Sequence, residues 1–370
     1  MIQTFSSTIR RREMDAVLTC MVDEKIGPGE LNSRLIQTVK EFTGCDGAVA
    51  FRSPKIALAY ALKAMELEKG SSVMISALAP SWQYSAIVEL GFVPLVLDVN
   101  EETGLVAPEI VVLGMKNGGR LLLIHESMGI VPDLERISAL GIPVIEDISH
   151  SIGAKVVSEV ASAESPAQEV SQSEEGAKAG EGSSLRQVGS FGVYSILGLE
   201  EHDTITAGGG AVLMAPGRRE WTVLKKLSEE ASGTDILPDI NSALAWVQLK
   251  EFNRNEQARK TLFAVYQHSL MSGKNKTFVR NITSDEGSTI WSFPVVLAGS
   301  VKDAKQYAAK KDIEISLAYE DSVIARHLEE LSSSCIVAKS LYLRCVLFPL
   351  YPLLGSEHAK KIAKVLGTLP

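Results

Sequence analysis

The sequence predicts an α/β protein built on a mainly parallel sheet covered on both faces, and two observations carry that prediction. Through the first 150 or so residues, short and almost continuously apolar runs alternate with segments of helical spacing. Strands buried on both faces between crossover helices read this way. The chain of 370 residues is also long enough for two domains and a sizeable core, at roughly 100–200 residues per domain.

Residues 47–51 read as a strand and 56–67 as a helix with apolar positions at helical spacing. A strand at 72–75 follows, then a helix over 84–90 that stops at Gly91, a favourable residue just past a helix end. Strands are expected at 93–97, 120–124 and 143–146, with a short helix over 134–140. The segment 158–187 breaks the pattern. Seven serines, six glutamates and no aromatic residue cannot supply a core, so it reads as an acidic low-complexity insertion on the surface. The sheet pattern resumes at 189–196 and 208–214. Beyond Pro216 the chain turns helical, with one long helix over 242–266, strands at 291–297 and 346–350, and a terminal helix over 358–365. The expected division is a large domain, 1–250, and a smaller C-terminal α+β domain, 251–370.

Composition excludes several functions. With 37 Lys+Arg against 45 Asp+Glu the net charge is −8, and the only basic run is Arg10-Arg11-Arg12, so no nucleic-acid partner is expected. No stretch approaches the ~18 consecutive apolar residues of a membrane span, and the first residues lack the apolar core of a secretory signal. The 4 cysteines form no CxxC pair and no metal-like spacing with histidine. Free thiols in a reducing cytoplasm, and no metal site, are expected. In parallel sheets ligands sit at the carboxyl ends of strands, so the residues just after each strand are the candidates.

Several segments in order carry a further signal. They are Ile26-Gly27-Pro28-Gly29, Leu95-Val96-Leu97-Asp98-Val99, Val144-Ile145-Glu146-Asp147-Ile148-Ser149-His150-Ser151-Ile152-Gly153-Ala154, Ala243 to Leu249 with Arg259 and Tyr266, and Leu347-Phe348-Pro349-Leu350-Tyr351-Pro352. Together, from Phe5 to Leu369, they resemble the DegT/DnrJ-type sugar aminotransferases, pyridoxal-phosphate enzymes of the aspartate-aminotransferase fold. The resemblance implies a three-layer sheet of that type, a homodimer, pyridoxal phosphate or pyridoxamine phosphate as cofactor, and a sugar nucleotide or phosphate as ligand. It also implies roles for single residues. Asp147 would bond the pyridine nitrogen and keep the ring an electron sink, and His150 would lie near the ring's phenolic oxygen. Trp82 would stack on the ring, and Ser195 would help to hold the phosphate.

The departures from the family are as informative. The family's phosphate loop reads Ser-Gly-Thr at a helix N-terminus, where backbone N–H groups bind the anion. Here it reads Ser53-Pro54-Lys55; Pro54 removes a donor, and Lys55 puts a long cation where a compact hydroxyl is usual. The Schiff-base lysine is missing, because no lysine lies between Lys178 and Lys225. Counting back from Gly208-Gly209-Gly210 puts His202 at its position, and counting forward from Ser195 puts Glu200 there. Histidine can move a proton but cannot form the covalent link of a primary amine. The segment Thr234-Asp235-Ile236-Leu237 lacks the Asn and Arg that reach the neighbouring subunit's site in the family.

Three readings stand open on the sequence. The first is a degenerate aminotransferase homologue that keeps the fold and dimer but does not transaminate through a Schiff base. The second is a 3-dehydratase-like enzyme that uses His202 as general base with the amine form of the cofactor. The third is a non-catalytic interaction protein.

Overall fold

The computed structural model describes residues 1–158, 184–271, 273–280, 287 and 289–370. The strands, in chain order, are β1 (Gly47–Phe51), β2 (Ser72–Ser76), β3 (Val93–Leu97), β4 (Gly119–His125), β5 (Val144–Asp147), β6 (Lys155–Ser158), β7 (Ser184–Gln187), β8 (Tyr194–Gly198), β9 (Ala211–Ala215), β10 (Phe293–Val296), β11 (Ser316–Leu317) and β12 (Cys345–Phe348). Seven of them form the central sheet in the order β1-β9-β8-β5-β4-β2-β3. The pairs β3–β2, β2–β4, β4–β5 and β5–β8 are parallel, and only β9 runs against its neighbours. This is the mainly parallel α/β architecture that the apolar strand runs predicted.

Alternate side chains of the sheet feed two apolar layers. Val49, Ile75, Leu123, Ile145 and Ile196 join one layer with helices Pro54–Ala64 and Ser81–Glu89. Ala50, Leu197, Val212 and Met214 join the other with helices Glu30–Thr43 and Asp239–Lys250. Apart from the edge strand β3, the strands are buried on both sides, so their residues need no polar alternation. A second sheet, β10-β12-β11, is antiparallel and packs with the helices Phe252–Leu270, Val301–Ala309 and Ser356–Gly367. The N-terminus contributes to that core, because Ile2 bridges Ile313.

Two predicted elements are corrected. The helix over 242–266 is two helices, Asp239–Lys250 and Phe252–Leu270, broken at Glu251. The Glu251 carboxylate is held at the break by Arg12 at 2.5 Å and Arg254 at 2.8 Å. The strand expected over 189–196 begins only at Tyr194. Upstream of it, Glu146 accepts the N–H groups of Gly189 at 2.8 Å and Phe191 at 2.7 Å, and that of Gly192, which folds those residues into a turn. Of the insertion 158–187, residues 159–183 lie outside the described residues. Its two ends pair as the antiparallel ribbon β6–β7, Lys155 opposite Gln187 and Ser158 opposite Ser184.

Among the described residues no helix is long and apolar enough to cross a membrane, and no group of three His, Cys, Asp or Glu is placed to hold a metal ion.

Candidate functional site

At the carboxyl ends of β4, β5 and β8 the structure opens a cavity of about 680 Å³. Asp147 forms its floor. The register sets His125, the last residue of β4, opposite Asp147, the last of β5. His125 Nδ1 lies 2.9 Å from Asp147 Oδ2. Gln83, on the first turn of helix Ser81–Glu89, donates to the same oxygen at 2.7 Å. Ser149 donates to Oδ1 through its hydroxyl at 2.5 Å and its N–H at 3.2 Å. Burial opposes ionisation of Asp147, but the charge and hydrogen bond of His125, with Ser149 and His150, outweigh it and hold the carboxyl below its usual value. A buried, fully oriented carboxylate at the floor is what a ring nitrogen would require.

Ser149 also ties β8 to β5. Its hydroxyl accepts the Gly198 N–H at 2.8 Å, and its carbonyl accepts the N–H of Thr204. Behind the floor, on the face of β5 opposite Asp147, lies a second pair of carboxyls. Glu126 and Glu146 are both wholly buried. Burial, and then the charge of Glu146, push Glu126 well above the carboxylate range. Burial also raises Glu146, against the three N–H groups that its oxygens accept.

The residues expected at the site are distributed as follows. Asp147, His150, Trp82, Ser53, Lys55 and His202 all line the cavity. Ser195 does not. It pairs with Glu146, and its hydroxyl packs against Gly189 on the far side of the sheet, buried and without a hydrogen-bond partner. His150 stacks on Trp291 with ring centroids 3.8 Å apart and meets His125 edge-on at 4.8 Å. Burial, first, and the neighbouring histidines hold the imidazole of His150 well below its usual value, so it is neutral. His202 is exposed; its ring stacks on Phe5 at 4.3 Å, and its carbonyl accepts from Trp291 Nε1 at 2.7 Å. Next to it, Asp203 turns inward, 3.7 Å from His150 Nε2, and accepts the Glu200 N–H at 2.8 Å.

Sequence reasoning missed His125, Gln83, Phe5, Trp291 and Asp203. His125 alone carried a local signal, as a polar residue closing an apolar strand. Phe5 and Trp291 reach the cavity from opposite ends of the chain.

The phosphate end is built differently from the floor. Ser53 caps helix Pro54–Ala64, its hydroxyl accepting the Ile56 N–H at 3.2 Å. Of the first-turn donors, Pro54 has none, and those of Ile56 and Ala57 are taken by Ser53 itself. Lys55 forms an ion pair with Glu89. Gly208, Gly209 and Gly210 all have positive φ, of 69°, 139° and 117°, and a side chain at Gly209 would be strained there.

A sequence profile of the DegT/DnrJ/EryC1/StrS aminotransferase family matches residues 7–367. The fold is similar to that of an aminotransferase from Psychrobacter cryohalolentis, with a TM-score of 0.81 and 17% identity over 98% of this chain and 97% of that one. It is also similar to an aminotransferase from Streptoalloteichus hindustanus, with a TM-score of 0.80 and 15% identity over 100% and 98% of the two chains. A histidine-to-asparagine variant of GDP-4-keto-6-deoxymannose-3-dehydratase with bound GDP-perosamine matches with a TM-score of 0.79 and 14% identity, over 99% and 100%.

Proposed function

Because the chain belongs to the DegT/DnrJ/EryC1/StrS aminotransferase family, we propose that it is a degenerate nucleotide-sugar aminotransferase homologue that does not transaminate through a Schiff base. One observation carries this reading. Lys55 is the only lysine among the described cavity-lining residues, and it sits at the phosphate end, paired with Glu89. Around Asp147, where a covalent anchor belongs, stand Glu200, His202 and Asp203.

Pyridoxal phosphate can be tested against the residues present. Its ring finds a match in the oriented carboxylate of Asp147 and the indole of Trp82. Among the described residues its aldehyde finds no amine beside Asp147, and its phosphate finds a helix end where Pro54 has no N–H and that of Ile56 is taken by Ser53, with Lys55 the remaining donor. Of the cofactor's three handles only the ring is matched, so the cavity does not fit the group in the family's manner, and no chemical step is derived through it. What this chain's own residues do is hold a carboxylate ionised at the floor, keep His150 neutral beside it, and shield both under Trp291 and Phe5.

Titration of the purified protein with pyridoxal phosphate and, separately, pyridoxamine phosphate, read by absorbance and mass, tests the proposal. Neither is expected to bind below about millimolar concentration, a weak association of about 4 kcal/mol, and borohydride should trap no adduct. Tight, non-covalent binding of the amine form favours instead the dehydratase-like reading, in which His202, at the cavity wall, serves as general base. His202→Asn should then abolish turnover while leaving that binding intact.

We also propose a cytoplasmic homodimer, and a division into domains 1–250 and 251–370. Met14, Leu18, Met21 and Val22 form an exposed apolar stripe along helix Arg11–Val22, with exposures of 50 to 79%, and a second copy is the partner the family implies. Light scattering should give a mass near twice 39.9 kDa; a monomer counts against any shared site.

A further inference from the structure

The charge of the cavity is the reverse of what a phosphate ester needs. Glu200, Asp203, Glu320 and Asp321 line it above the Asp147 floor. Lys55 is the only Lys or Arg among its described lining residues, and it is paired with Glu89, as Asp321 is with Arg326. The walls are aromatic: Phe5, Trp82, Trp291 and Tyr319. Aromatic faces beside carboxyl groups attract an organic cation by ring quadrupole and by charge together, and both repel a phosphate dianion. A further observation points to a missing donor. His150 Nδ1 is buried in the cavity wall with no hydrogen-bond partner, and its neutral imidazole offers a lone pair that an N–H group would satisfy.

We propose that this cavity binds a ligand through an ammonium group, held by the carboxyl groups of Glu200 and Asp203 among the aromatic walls of the cavity, and that it rejects phosphate monoesters. The proposal rests on the reading that the cavity no longer anchors the family's cofactor, and it adds the class of ligand taken instead. It has a proton signature. Burial, opposed by the Glu200 N–H and reinforced by Asp147 and Glu200, pushes the Asp203 carboxyl up to about 8. The groups facing it are Glu200 and His202 from its own turn, and Asp147, Ser149 and His150 from the turn after β5. Near pH 7 Asp203 therefore holds a proton that an arriving ammonium would displace. Binding should release a proton and tighten as pH rises towards 8.

Benzylamine, benzyl alcohol and benzyl phosphate share one aromatic body and differ in charge, so they isolate the effect. Tryptophan fluorescence and indole N–H resonances of the full chain would follow each titration, and calorimetry of benzylamine in two buffers of different ionisation enthalpy would count protons. Benzylamine is expected to bind about tenfold more tightly than benzyl alcohol or better, with benzyl phosphate the weakest. The double variant Glu200→Gln, Asp203→Asn should erase the benzylamine advantage and the proton release, and leave benzyl alcohol binding and the thermal midpoint as they were. Should that variant not fold, the order of the three probes on the unaltered protein and its pH dependence still decide. Benzyl alcohol binding as well as benzylamine, or no binding of benzylamine up to about 10 mM, overturns the proposal. If pyridoxamine phosphate also fails to bind, only this proposal falls; preference for benzyl phosphate together with tight pyridoxamine phosphate binding overturns both readings.

Discussion

The two ends of the cavity are made of different material. The floor is built at strand termini, where the register of β4 against β5 fixes His125 opposite Asp147 and leaves no freedom for either. The phosphate end is built from a helix start at Ser53, and the wall beside the floor from the turn Glu200–Asp203, neither of them part of the sheet. The floor keeps the carboxylate that the resemblance implies, and the helix start and turn depart from the residues it implies. On the reading proposed above, change has fallen where the backbone is locally adjustable, and the most buried polar cluster has stayed intact beside it.

Substitutions at the two ends should differ in cost. Asp147→Ala removes the acceptor of His125, Gln83 and Ser149 at once and strands them in the interior. The expected loss is about 3 kcal/mol of stability, read by urea denaturation at pH 7. A loss under about 1 kcal/mol would mean that the floor is no more tightly specified than the rest. Because the Asp147 carboxyl lies below its unfolded value, its share of stability is present above that unfolded value and disappears as pH falls through the folded one.

Glu126→Gln should act in the opposite sense. A carboxyl raised by burial binds its proton more tightly in the folded chain, so the wild type loses stability as pH climbs above the unfolded value near 4.3. The variant should gain on the wild type by on the order of 2 kcal/mol at neutral pH, with the difference shrinking towards pH 4. Thermal midpoints across that range would check it; a pH-independent difference would show that Glu126 ionises normally. At the other end, Ser53→Ala removes one cap from one helix and should cost only about 1 kcal/mol. If that small change proved as damaging as Asp147→Ala, the contrast between the two ends would collapse.

The sheet, and Asp147 as a candidate at the end of one of its strands, were legible in the sequence for a physical reason. Strands buried on both sides are written as apolar runs, and a charged residue closing such a run, as Asp147 does, has few explanations other than a site. The turn at 189–193 was not legible, because it is imposed by the carboxylate of Glu146, more than 40 residues upstream. The break at Glu251 was hidden in the same way, since its partner Arg12 lies at the other end of the chain. Phe5 and Trp291 escaped because their partners, His202 and His150, are set by tertiary packing and by no spacing within their own segments. The placement of Ser195 on the far face of the sheet follows from strand alternation about Glu146. A motif match counts positions along the chain and does not register which face of a strand each side chain takes.

The ribbon β6–β7 has a practical use. Its register brings Ser158 and Ser184 face to face, so the stretch between them leaves and rejoins the body at one point, about 5 Å across in an antiparallel pair. A graft between those two serines needs only neighbouring termini, and chain closure there grows slowly dearer with length. That makes the ribbon, which begins five residues beyond His150 and lies outside the central sheet, a socket for a fluorescent reporter.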